Sequence, residues 1–244
     1  MAAPCTSCGD DVPENMLGAC VDLAYRLRCK LNVYRTASLA EARRYDPLRL
    51  HSVSPRTLTR EVPGRELRRK HTPGEVVGGD WDLVTVDFES STHYRGFCEH
   101  FVDGRAWQET VLYRDAVNRP PGKYWHACRT EREVLAALRE YDVIFESVAK
   151  HGYLTQRELA ARRPRRLRLT PPELGEIIVH IARDGSYLFD DGRHRLSIAK
   201  ILALKEVPAL VVLRHRRWYY ARNGAASGET KSAEPTVEGP RAGR

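Results

Sequence analysis

The chain is expected to be a mixed α/β protein, with a small mixed sheet and helices preceded by a mainly helical N-terminal half. Three observations carry this. Residues 176–190 hold an apolar strand, an Asp184-Gly185 turn and a return strand, the pattern of a β-hairpin. An apolar helix opens at Arg193, and a strand beginning Val207-Pro208 follows it. Upstream, apolar residues recur at helical spacing over 16–34 and 130–150. An apolar share of 42% and a charged share of 30% over 244 residues suit a packed core beneath a polar surface.

The elements follow in order. Residues 1–15 read as a flexible leader. From Met16 to Tyr34 the residues Leu17, Cys20, Val21, Ala24, Leu27 and Leu31 form one stripe, predicting an amphipathic helix that lays this stripe on the core. A shorter helical pattern covers Ser38–Tyr45, and the Pro- and Arg-rich connection to residue 75 is expected to be irregular with one strand. Val76-Val77-Gly78-Gly79-Asp80-Trp81-Asp82 has two readings. Its acids either flank a ligand or cap a turn beside a Trp81 core anchor. Residues 92–113 read as helix, turn, helix, broken at Asp103-Gly104. Thr130 caps a helix that runs to Lys150 and stops at His151-Gly152. After the hairpin, the helix from Arg193 is apolar on most of its circumference, which predicts burial on more than one side. Pro208 is tolerated at the first positions of the last strand. The divisions are therefore 1–15, a helical region 16–135, a core 136–218 and a disordered tail 219–244 rich in Gly, Ala, Ser, Glu and Pro.

The net charge of +8 is uneven. Residues 43–70 carry nine Arg or Lys against three acids, and residues 157–168 carry six arginines beside Glu158. Such patches either meet nucleic acid or are solvated faces. No apolar run reaches the roughly 18 to 20 residues of a bilayer span. The opening residues lack a basic-then-apolar export signal, so a cytoplasmic location with reduced cysteines is expected. Cys5-x-x-Cys8 has half of a zinc-ribbon spacing and no second pair at the right distance, so no metal site is assigned to it.

Asp190-Asp191-Gly192-Arg193-His194-Arg195 carries the chemistry. A strand ends there and a helix begins, so open backbone N–H groups and the positive end of the helix dipole meet two guanidinium groups and an imidazole. Cations in a first helical turn are disfavoured by the dipole unless an anion compensates. Phosphate is the natural one.

His151-Gly152-Tyr153-Leu154-Thr155-Gln156, the hairpin, Asp191-Gly192-Arg193-His194-Arg195, Ala199 and Val207-Pro208 together resemble the ParB/sulfiredoxin-like superfamily over roughly residues 136–215. That superfamily includes partition proteins, sulfiredoxins and free-serine kinases. The resemblance implies a nucleoside triphosphate, ATP or CTP with Mg²⁺, held at residues 191–197. Gly192 would admit the phosphates, and Arg193, His194 and Arg195 would contact them. Ser197 would add a hydroxyl, and Gly152 and Gln156 would border the nucleotide. The Asp-Gly-x-His-Arg form is similar to that of serine kinases, which implies Asp191 beside the transferred phosphoryl group and an upstream catalytic acid, for which Glu146 and Glu158 stand in the span.

The departures narrow this. Arg193 occupies the position where sulfiredoxins carry cysteine, which excludes sulfinic-acid reduction. The short segment after His215 argues against the DNA-binding and dimerisation domains of partition proteins. Two expectations result: a nucleotide-binding protein whose reaction class would be phosphoryl transfer or nucleotide hydrolysis, and, as the alternative, a non-enzymatic module on nucleic acid.

Overall fold

A computed structural model describes residues 14–64, 66–118, 128, 130–162 and 169–224. The N-terminal part supplies α1 (Glu14–Thr36), α2 (Leu39–Arg44), β1 (Leu50–Val53), β2 (Arg60–Glu61), α3 (Glu66–Lys70), β3 (Glu75–Val77), β4 (Val86–Asp87), α4 (Thr92–Phe101) and α5 (Val111–Val117). The remainder supplies α6 (Glu131–His151), α7 (Gln156–Ala161), β5 (Ile177–Ile181), β6 (Tyr187–Asp191), α8 (Arg193–Ile201), β7 (Val207–His215) and α9 (Arg216–Gly224). The mixed α/β class with a largely helical N-terminal part is what these elements form.

The sheet is mixed, in the order β1-β7-β5-β6-β2-β4, with β3 also paired to β7. β5 and β6 are the expected antiparallel hairpin, and β7 returns parallel to β5. β1 pairs with the first residues of β7, and β3 with Leu213–His215 of the same strand. The connection expected to be irregular thus contributes β1 and β2, and β3 starts at its end. These strands are two to four residues long. Such segments are too short to show an alternating pattern, and pairing with longer strands is what makes them strands.

α8 lies between two cores. Leu196 and Ala199 enter a cluster with Ile177, Val179, Phe189 and Val211 of the sheet. Ile198 enters a second cluster with Phe97, Leu112, Val134 and Leu138 from α4, α5 and α6, and with Trp107 from the turn between α4 and α5. This is the burial on more than one side that its composition predicts. Thr130 caps α6 by accepting from the Glu133 N–H at 3.2 Å, and Gly152 ends it at φ +76°.

Two expectations fail in instructive ways. In α1 the buried residues are Cys29 and Val33, at 0% exposure. Most of the stripe expected on the core points outward: Cys20, Ala24, Leu27 and Leu31 are exposed, while Val21 is half-buried. Periodicity shows that a helix has an apolar side but not on which side its neighbours lie. Second, the segment from 219 was expected to be disordered, yet α9 continues to Gly224. Tyr219 is buried there, with Arg214 lying 5.2 Å from its ring centroid. Residues 225–244, Cys5 and Cys8 lie outside the described residues. Cys20, Cys29, Cys98 and Cys128 are free thiols. Among the described residues, no helix is long and apolar enough to cross a membrane.

Candidate functional site

β6 runs directly into α8 through Gly192, whose φ of +90° turns the chain. This turn forms one end of a cavity of about 540 Å³. Gly192, His194, Arg195 and Ile198 line it from α8. Tyr141, Val143, Ile144, Ser147 and Val148 of α6 make a long wall, and Gly152, Tyr153, Leu154, Gln156 and Leu159 close the far side. One end is therefore cationic and the wall largely apolar. The volume falls in the roughly 300–1,000 Å³ range of small-molecule sites.

Five of the nine residues singled out by sequence meet in this cavity: Gly152, Gln156, Gly192, His194 and Arg195. The other four do not line it. Arg193 and Arg195 are two positions apart, roughly 200° around a helix, so they point to opposite sides. Arg193 instead reaches the half-buried edge beside β2, where it ion-pairs with Glu61. Ser197 follows Arg193 by one helical turn and shares its side; it is fully buried, so the hydroxyl contact expected of it in the pocket is not made. Arg193 Nε and Ser197 Oγ are buried without a hydrogen-bond partner among the described residues. Glu146 is exposed on α6, and Asp191, at the end of β6, also stays off the cavity wall.

Behind the cavity wall, Tyr153 and Gln156 are held by an acid that the sequence reading passed over. Glu176, 2% exposed, sits just before β5. It accepts from the Tyr153 hydroxyl at 2.9 Å and from the Gln156 backbone N–H. Burial raises its carboxyl above the ordinary carboxylate value, against the opposing pull of the Gln156 N–H, the Tyr153 hydroxyl and the Arg195 charge. Burial also pushes the Tyr153 and Tyr141 hydroxyls up, and the Arg195 charge opposes this in both. The available signal for Glu176 was an acid at the head of the wholly apolar run Ile177–Ile181. His194 stacks on Phe97 at 5.8 Å, and its Nδ1 lies 3.1 Å from Tyr141 Oη.

Charge pairing sets Arg195 apart. Among the described residues, the buried or half-buried arginines are Arg26, Arg183, Arg193, Arg195 and Arg214. Arg26 pairs with Asp46, Arg183 with Asp82, Arg193 with Glu61 and Arg214 with Glu41. Arg195 makes no direct ion pair among the described residues; it lines the cavity beside the start of α8, hydrogen-bonded to Tyr153 and within electrostatic reach of the Glu176 carboxylate. A half-buried cation of this kind is suited to an anionic ligand.

The Gly78–Asp82 segment takes its structural reading. Asp82 is buried and holds Arg183 through the guanidinium at 2.7 Å and the backbone N–H at 2.8 Å, while Asp80 takes the same guanidinium at 2.8 Å. Trp81 packs edge-on against buried His180. The segment thus clamps the β5–β6 turn and is occupied away from Arg195. Burial opposes the Asp82 charge, but Arg183 and then His215 outweigh it and hold the carboxyl at about 2. With its folded value below the ordinary 3.8, the stabilisation is present above that value and is lost as pH falls toward 2. The loss is on the order of 2 kcal/mol. Urea midpoints at pH 7 and pH 2.5 should show a smaller acid-induced drop in Asp82→Asn than in the parent; an equal drop in both refutes it.

The basic patches are partly neutralised. Arg44 pairs with Glu41, Arg60 lies 3.6 Å from Asp184, Lys70 pairs with Glu66, and Arg157 is held by Glu173 and Asp22. Residues 163–168 lie outside the described residues. No group of three or more His, Cys, Asp or Glu among the described residues is arranged for a metal ion.

Fold and site together define a mixed α/β protein with a cavity that is cationic at one end. No protein-family model, curated protein or solved structure matches the chain.

Proposed function

We propose that the cavity binds a nucleotide, with a phosphate seated against Arg195, His194 and the open first turn of α8. The meeting of Arg195, His194 and the Gly192 turn on one wall of the cavity, at the start of α8, carries this reading. A guanidinium that lines a cavity and makes no direct ion pair among the described residues gains charge-assisted hydrogen bonds from a phosphate oxygen, and the helix N-terminus adds N–H donors and its dipole. The apolar wall of Val143, Ile144 and Leu159 offers a surface for a base. The resemblance of Asp191–Arg195 to the ParB/sulfiredoxin-like turn supports the same ligand class. Mg²⁺ fits less well. No carboxylate lines the cavity, and the acids expected to hold the ion or act in transfer, Asp191 and Glu146, are off its wall, so no phosphoryl-transfer step is assigned.

Titration calorimetry with ATP, CTP and GTP, each with and without Mg²⁺, tests the proposal. Arg195→Ala should weaken binding by about 10- to 100-fold, the equivalent of one lost charge-assisted contact of roughly 1.5–3 kcal/mol. Arg193→Ala should change affinity far less, because that side chain faces Glu61. Absence of binding by all three nucleotides, or equal losses in the two variants, overturns the assignment.

A further inference from the structure

Among the described residues, the outward stripe of α1 has no partner of the kind its pattern calls for. Cys20, Ala24, Leu27, Leu31 and Tyr34 are all exposed and alternate in steps of four and three, the seam of a coiled coil. Leu27, Leu31 and Tyr34 are 59%, 48% and 52% exposed. At about 100° per residue the stripe lies on the opposite side of the helix from buried Cys29 and Val33. The core-facing side is filled by Cys29 and Val33, and among the described residues nothing draws these leucines inward. Their arc, roughly 100° with Leu23 at its margin, is narrow and regularly stepped, which suits one facing helix better than a lipid surface.

The charges beside the seam choose the partner. Arg28 and Arg35 flank it on one side and Lys30 on the other. A second copy of α1, parallel or antiparallel, would bring these cations against their own kind. The net charge of +8 adds to that repulsion. We infer that α1 docks an amphipathic helix of another protein, one with an apolar seam flanked by Asp or Glu. This surface is independent of the cavity and of any ligand there.

Two labelled peptides of three heptads, both with leucine at the seam positions, separate the outcomes. One carries glutamate at the flanking positions and the other lysine. In fluorescence anisotropy with the full chain, the glutamate peptide should bind at least about tenfold tighter than the lysine peptide, and more weakly as salt rises. Leu27→Gln with Leu31→Gln should abolish binding while circular dichroism stays unchanged, since both positions are exposed. Arg28→Glu, Lys30→Glu and Arg35→Glu together should reverse the peptide preference. The inference is overturned if neither peptide binds or if the preference survives charge reversal. It is equally overturned if sedimentation shows the chain pairing with itself through Leu27. Leucine-dependent binding to phosphatidylserine vesicles without peptide binding overturns it as well.

Discussion

Gly192→Ala should lower stability by about 3 kcal/mol and loosen the cavity together with the fold. Gly192 sits at φ +90°, where an L side chain costs roughly 1–2 kcal/mol. An added Cβ would also lie 2.9 Å from Ile177 Cα and 3.2 Å from the Glu176 carbonyl oxygen. Both are backbone atoms at the head of β5, paired into the middle of the sheet, so neither can swing aside, and forced packing adds roughly 1–3 kcal/mol. In a chain of this size that is a drop of about 6–12 °C in Tm. Gly152→Ala is the matched control: φ there is +76°, but a Cβ meets nothing within 4 Å, so only the conformational cost remains. Thermal melts should place Gly192→Ala well below Gly152→Ala. Similar melts would show that the close approach to β5 is not tight. Because the turn carries Arg195, nucleotide affinity should fall in Gly192→Ala as well.

Glu41→Ala should cost about 3–5 kcal/mol, the penalty for leaving a buried charge without its partner. Arg214 is 6% exposed in β7 and donates to Glu41 and to the Gly74 carbonyl. Its guanidinium lies 4.1 Å from the Tyr45 ring centroid. Burial works against the Glu41 charge, but hydrogen bonds from Arg214 and Arg44 hold the carboxyl below its ordinary value. Removing Glu41 removes the counter-charge and leaves the guanidinium in place, whereas replacing both partners by apolar residues of similar volume removes the problem. Glu41→Leu with Arg214→Met should therefore regain most of the stability lost in Glu41→Ala. Urea midpoints measure both; a single variant within 1 kcal/mol of the parent would mean that water reaches Arg214.

The pair also shows how the fold is assembled. Glu41 belongs to a short helix near the start and Arg214 to the last strand, so nothing local to either residue announces the contact. The cavity behaves alike. Its α8 end is a local feature, a glycine turn between a strand and a largely apolar helix, and could be recognised from residues 187–201 together. The support behind its wall is not: Glu176 holds Tyr153 and Gln156 from far along the chain, and an acid beside an apolar strand does not name its partners.

The sequence by itself determined the hairpin, the Gly192 turn, the helix after it and the strand beginning at Val207. Turn chemistry and periodicity act over a few residues and need no distant partner. Only the tertiary structure decided that Arg195 faces the cavity while Arg193 faces Glu61, because the helical rotation separates the two side chains but does not say which elements await them. It likewise turned the leucines of α1 outward. A helix with one apolar stripe can bury it or present it, and the choice rests on which of its sides fits the sheet and α2.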